Sequence, residues 1–149
     1  MTNMDERVRL AAFKWIEEQV LIHGDVLPRT LLEKGFLFGG QRVTLVGPQG
    51  IWKPKILKQI PLSITTISNS PYDDFFTGDG FLIYRYRGAN PNHRDNVGLR
   101  EAMRKQIPLI YFHSIVKGKY LAIWPVFIIR DDPGQLSFTL AADDPAISR

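Results

Sequence analysis

From Asp5 to Ile22 apolar residues return every three to four positions. Val8, Ala11, Ala12, Trp15, Ile16 and Val20 form one stripe, and Gly24 ends the run. That period predicts an amphipathic helix. Pro28 then opens a short second helix over Arg29–Lys34, which Gly35 stops. Both helices read as a packing layer on one side of a domain. From Arg42 the period shortens to two, which predicts strands over Arg42–Val46, Leu62–Ile67 and Phe81–Arg87, with a turn at Gly47-Pro48-Gln49-Gly50. The alternation is cleanest in the third strand. It sets Phe81, Ile83 and Arg85 on one face and Leu82, Tyr84 and Tyr86 on the other.

A polar loop from Gly88 to Asp95 leads to a third predicted helix, N-capped by Asp95 or Asn96 and running to about Gln106. Leu99, Ala102 and Met103 face inward in this reading, and Arg100, Arg104 and Lys105 face out. Pro108–Val116 and Tyr120–Arg130 form a hairpin around Lys117-Gly118-Lys119, and a turn at Asp131–Gly134 leads to a last strand, Leu136–Ala141. Trp15 and Trp124 are expected in the core, and Trp52 in the core or a pocket wall. The expected fold class is α+β: a mostly β curved sheet or partly open barrel, with a helical extension over residues 1–40 and one inserted helix.

The length of 149 residues fits one domain with a sizeable core. With 44% hydrophobic and 23% charged residues, the composition is that of a folded chain rather than a disordered one. No apolar run approaches the length of a membrane helix, and the first residues lack the layout of a signal peptide, so no membrane partner is expected. The absence of cysteine excludes disulfides and thiolate metal sites and fits a reducing cytoplasm. The net charge of +4 and a pI near 9.5 favour a polyanionic partner.

Catalytic signatures are missing. His23, His93 and His113 stand in no metal-binding pattern, and no P-loop, nucleophile elbow or dinucleotide-binding fingerprint occurs. Neither a metal nor any other cofactor is expected. His113 reads as a hydrogen-bonded strand histidine, and His93 as a loop-ordering or phosphate-facing one. Asp73, Asp74 and Asp79 are a candidate Mg²⁺ cluster for a nuclease, but no Glu-x-Lys partner on a neighbouring strand accompanies them.

The informative stretch is Tyr72-Asp73-Asp74 followed by a strand ending Tyr86-Arg87-Gly88. To inspect one base of a duplex, a protein swings it out of the stack at a cost of a few kcal/mol. Stacking on aromatic rings recovers about 1–3 kcal/mol per base. A carboxylate that accepts from the exocyclic amine selects cytosine. Two tyrosines and an aspartate supply these parts.

In these two segments the chain resembles the SRA (SET and RING associated) domain, a reader of 5-methylcytosine and its relatives. The resemblance implies that Tyr72 and Tyr86 stack on the flipped base and that Asp74, or else Asp73, binds its Watson–Crick edge. Arg87 and Gly88 would complete the pocket. The similarity extends over roughly residues 42–140, through Val43–Trp52, Leu62–Ile67, the Asn96–Ala102 helix, Pro108–Ile110 and Tyr120–Ile129. Two departures stand out. Arg87 replaces a small hydroxyl residue, and the spacing from Asp74 to Tyr86 is longer than in the family.

The helical extension, with residues 47–54, 84–96 and 108–112, resembles the N-terminal halves of bacterial HNH-type restriction endonucleases, in which this half reads modified DNA. No HNH segment is present, so the chain reads as the non-enzymatic specificity module of a modification-dependent enzyme. A homodimer is natural in the full-length context, and the expected location is the bacterial cytoplasm, on the nucleoid when bound. Lys53, Lys55, Lys58, Arg85 and Arg94, with Trp52, are the candidate backbone-contacting or gap-filling residues, since duplex binding needs a basic rim. Two alternatives stand beside this reading. One is a PUA-like reader of RNA or of another DNA modification. The other is a metal-dependent nuclease using Asp73, Asp74 and Asp79.

Overall fold

The computed structural model describes residues 3–66 and 80–142. Helix α1 (Met4–His23) follows the predicted stripe, with Val8, Ala12 and Ile16 fully buried and Asn3 capping its first turn by accepting from the Glu6 N–H. Helix α2 (Arg29–Lys34) ends at Gly35, whose φ is +64°. A Cβ there would lie 1.9 Å from the Val43 carbonyl, so the close approach requires glycine as much as the dihedral does.

A seven-stranded mixed sheet forms the body. Its strands are β1 (Val26–Pro28), β4 (Ile51–Trp52), β5 (Ser63–Thr65), β6 (Phe81–Arg85), β7 (Leu109–Val116), β8 (Lys119–Asp132) and β9 (Ser137–Ala142). The order is β4-β5-β7-β8-β9-β6, with β1 pairing the start of β8. All pairs are antiparallel except β5 with β7, which run parallel. Strands β2 (Phe36–Phe38) and β3 (Gln41–Val43) make a separate two-stranded hairpin. This is the expected α+β class.

The sheet is covered on both faces, which explains the near-continuous apolar run at 109–112. Leu109 and Tyr111 join a core with Leu82, Tyr84, Tyr86, Leu99 and Phe138, under helix α3 (Arg94–Lys105). Ile110 and Phe112 join the opposite core with Val8, Ile16, Leu27, Leu32 and Leu45, under α1 and α2. Along β8 the even-numbered residues change sides. Tyr120 belongs to the second core, whereas Val126 and Ile128 belong to the first. A register shift facing Leu109–Tyr111 accommodates this change next to Pro125, a residue with no N–H to give to a ladder.

Several expectations are corrected. The strand proposed for Arg42–Val46 pairs only through Val43, because Leu45 turns into the core and its N–H donates to the Leu32 carbonyl. Helix α3 is capped by His93, whose Nδ1 accepts from the Asp95 N–H, and not by Asp95 or Asn96. Arg100 faces inward enough to pair with Asp131 at 2.6 Å. The strand from Phe81 ends at Arg85, and the Tyr86 N–H donates to Leu136 instead. Trp15 and Trp124 are half-buried rather than central. Strand β1 was not anticipated.

Arg9 was also missed as a buried residue. Its guanidinium is 2% exposed and donates to the carbonyls of Pro61 (2.7 Å) and Ile60 (2.9 Å) while pairing with Asp5 (2.6 Å). Buried charge is tolerated only when so satisfied, and the result locks α1 onto the segment entering β5.

Candidate nucleic-acid interface

Tyr72, Asp73, Asp74 and Asp79 lie outside the described residues. What the structure does show is the corner to which that stretch is attached. Thr66, the last described residue before it, lines a cavity of about 150 Å³ with Arg29, Gly47, Gly50, Thr65 and Ser114. Pro48, Gln49, Lys117, Gly118 and Tyr120 complete the wall. Its size is below that of a site for drug-sized ligands.

The Gly47–Gly50 turn forms one wall because it is pinned at both ends. At Gly47 the backbone packs so closely on the Trp52 ring that a Cβ would lie 2.0 Å from it. The Trp52 Nε1 donates to the Thr44 carbonyl at 3.0 Å, which fixes the ring. The Gly47 carbonyl accepts from Arg29 at 2.8 Å. The Gly50 carbonyl accepts from the Thr65 N–H at 2.8 Å, and a Cβ on Gly50 would stand 2.8 Å from the Tyr84 hydroxyl. Between the two ends Pro48 and Gln49 are exposed.

Thr65 is 7% exposed, and its Oγ1 has no hydrogen-bond partner among the described residues. A buried hydroxyl without a partner is unusual in a finished fold and calls for an explanation. Beside it, Thr66 Oγ1 accepts from the Ser114 N–H at 3.1 Å. Lys117, on the β7–β8 turn, adds an exposed cation to the rim.

The Tyr86 end is built differently. Tyr86 is 6% exposed and its ring packs on Phe138 with centroids 4.7 Å apart. Its hydroxyl donates to Asp131, and Arg100 bridges Asp131, the Tyr86 hydroxyl and the Pro91 carbonyl. Burial, reinforced by the hydrogen bond to Asp131, raises the Tyr86 phenol above its ordinary pKa against the opposing pull of Arg100. The hydrogen bond to Asp131 raises Arg100 in turn. Asn96, fully buried, accepts from the Arg87 N–H at 2.8 Å and donates to the carbonyls of Arg87 (3.0 Å) and Asn90 (2.9 Å). Arg87 itself pairs with Asp95 at 2.6 Å. Gly88, at φ +64°, is exposed at the turn that follows.

The other singled-out residues scatter. Lys53 is half-buried and donates to the Leu57 carbonyl at 2.7 Å, whereas Lys55 and Lys58 are exposed. Arg85 is exposed on the outer face of β6, and the Arg94 side chain is 86% exposed. Trp52 serves as the wall behind Gly47. No group of three or more metal-binding side chains occurs among the described residues, and no described helix is long and apolar enough to cross a membrane. Sequence reasoning singled out neither Arg29, Thr65, Ser114 nor Tyr120. The available signals were slight: hydroxyl residues interleaved in an apolar strand, and two lysines flanking Gly118.

No protein-family model matches the chain, and no curated protein matches it. Solved structures are similar to it in fold. One is the SUVH5 SRA domain in complex with methylated CHH DNA, at 20% identity and a TM-score of 0.47, over 75% of this chain and 88% of that one. Another is the SUVH5 SRA domain bound to fully hydroxymethylated CG DNA, at 19% identity and a TM-score of 0.48, over 75% and 89%. At such identity and overlap the likeness is one of broad architecture, and function lives in the site rather than the fold.

Proposed function

We propose that this chain is a non-catalytic reader of modified cytosine in double-stranded DNA, holding one flipped base at the Gly47–Gly50 corner. The observation that carries the reading is the small cavity with a glycine turn for a wall, Lys117 on its rim and a buried Thr65 hydroxyl that has no partner among the described residues; Tyr72-Asp73-Asp74 follow six residues after Thr66 in the sequence. A flipped base would give Thr65 a partner and fill a space too small for a larger ligand. The basic balance of the chain supplies the salt-dependent attraction to phosphates. In its larger setting the chain serves as the specificity module of a modification-dependent HNH endonuclease and dimerises there, in the cytoplasm of a bacterium.

The test is an equilibrium titration against matched duplexes carrying cytosine, 5-methylcytosine or 5-hydroxymethylcytosine at about 150 mM salt, where phosphate contacts alone give weak binding. A shaped pocket that gains one buried carbon is expected to prefer a modified duplex by roughly ten- to a hundredfold. Equal, weak binding to all three duplexes overturns the reading. Tighter binding to RNA would favour a PUA-like reader instead, and Mg²⁺-dependent plasmid cleavage a nuclease.

A further inference from the structure

Arg29 is the point at which the N-terminal helices reach the cavity. Its N–H donates to the Gly118 carbonyl at 2.8 Å, which ties the start of α2 to the β7–β8 turn. Its guanidinium serves three acceptors at once: Nη2 donates to the Gly47 carbonyl (2.8 Å), Nη1 to the Tyr120 hydroxyl (3.2 Å), and Nε to Glu33 (3.1 Å). Only the planar arginine fork reaches three acceptors in fixed directions, whereas a lysine ammonium at the same place is a single mobile point. Each nitrogen already has a partner within the fold, so the side chain is poorly placed to serve a phosphate as its main task. Gly47 meanwhile cannot move toward the Trp52 ring, against which there is no room even for a Cβ, so the Arg29 hydrogen bond is left to hold it from the other side.

We infer that Arg29 is a positioning residue of the reader site: by holding the Gly47 carbonyl it sets the Gly47–Gly50 wall of the cavity, which makes the helical segment a working part of recognition rather than an appended layer. This rests on the proposed reading of a flipped modified base and names the residue that shapes its pocket. A wall free to move would admit modified and unmodified bases in many poses, and discrimination would fall before affinity for DNA did.

The experiment uses the full chain as wild type, Arg29→Lys, Arg29→Gln and Arg29→Ala. Each is titrated against matched duplexes with cytosine and with the preferred modified cytosine at several salt concentrations, and amide hydrogen exchange is followed at residues 47–50. Losing one charged hydrogen bond to the wall is expected to lower the modified-to-unmodified ratio by roughly tenfold in Arg29→Ala. Arg29→Lys is expected to restore part of that ratio, with the salt dependence unchanged. Exchange at Gly47, Gln49 and Gly50 should quicken while amides in α1 and α3 keep their protection. A ratio that holds while the salt slope drops by about one would make Arg29 a phosphate contact and overturn the inference. Unchanged exchange at 47–50 would also overturn it, and so would a lower melting temperature with the ratio intact, which marks a fold brace. If the wild type shows no modification preference, the proposed reading fails instead, and the exchange measurement alone decides whether Arg29 holds the wall. Should Arg29→Ala unfold, Arg29→Gln keeps most of the stem and carries the same comparison.

Discussion

Two corners of the sheet carry the glycines and tyrosines that drew attention in the sequence. At the corner after β6, Tyr86 is buried on Phe138, Asp131 and Arg100 close a polar triad around its hydroxyl, and Asn96 uses both amide hydrogens and its oxygen on Arg87 and Asn90. At the Gly47–Gly50 corner the backbone is pinned as well, yet among the described residues an open space remains, a buried hydroxyl stands without a partner, and Pro48 and Gln49 are exposed. Polar satisfaction distinguishes the two. A network with its members paired holds a fold together, whereas a rigid wall beside an unpaired polar atom is ready for something from outside.

Asn96→Ala should break the first corner most severely. It leaves two backbone groups of half-buried Arg87 and the carbonyl of exposed Asn90 without that partner, so a loss of roughly 1–3 kcal/mol is expected, or on the order of 5 °C in a thermal melt. A shift of only a degree or two would show that the Arg87–Asn90 turn finds other partners. Gly47→Ala should damage the second corner next. The new methyl group collides with the Trp52 ring, and overpacking of this kind costs about 1–3 kcal/mol. Its mark should be a loss of modified-base preference larger than the stability change alone explains, read by melting and titration together.

The triad gives a pH signature. The fold holds the Tyr86 phenol in its neutral form and raises its pKa, so the contribution of that group is complete below about pH 10, the ordinary tyrosine value, and is lost as pH rises through the elevated one. Chemical denaturation across that range should show a decline in stability that is smaller in Tyr86→Phe. An identical decline in the two proteins would mean that the hydroxyl network adds nothing. The smallest effect belongs to Thr65→Val. Removing an unpartnered hydroxyl should leave the DNA-free protein unchanged or more stable by up to about 1 kcal/mol, while weakening binding to the preferred duplex several-fold. A destabilised Thr65→Val would show that the hydroxyl has a partner within the fold.

Much of the architecture was legible because local periodicity encodes it. The α1 stripe, the outward Phe81, Ile83 and Arg85 against the inward Leu82, Tyr84 and Tyr86, and the hairpin around Gly118 follow from which side chains must leave water. The site was less legible. The motif led to Tyr86 and Gly88, which are not among the residues lining the cavity; its wall comes from residues far apart in the chain: Arg29, Gly47, Thr65, Ser114 and Tyr120. No spacing rule links them, and apart from the Gly47 turn none stands out in its own segment.

By itself, then, the chain determined its helices, its main strands, the faces they bury and a basic balance suited to a polyanion, because burial and charge are written residue by residue. Only the tertiary structure decided that β5 would run parallel beside β7 across the intervening β6 and α3, that Arg9 would be buried on two carbonyls of the segment entering β5, and that Arg29 would arrive at the Gly47 carbonyl. Those outcomes depend on which surfaces meet once the chain has closed long loops. Loop closure and long-range pairing are set by the whole packing arrangement and leave no local period to read.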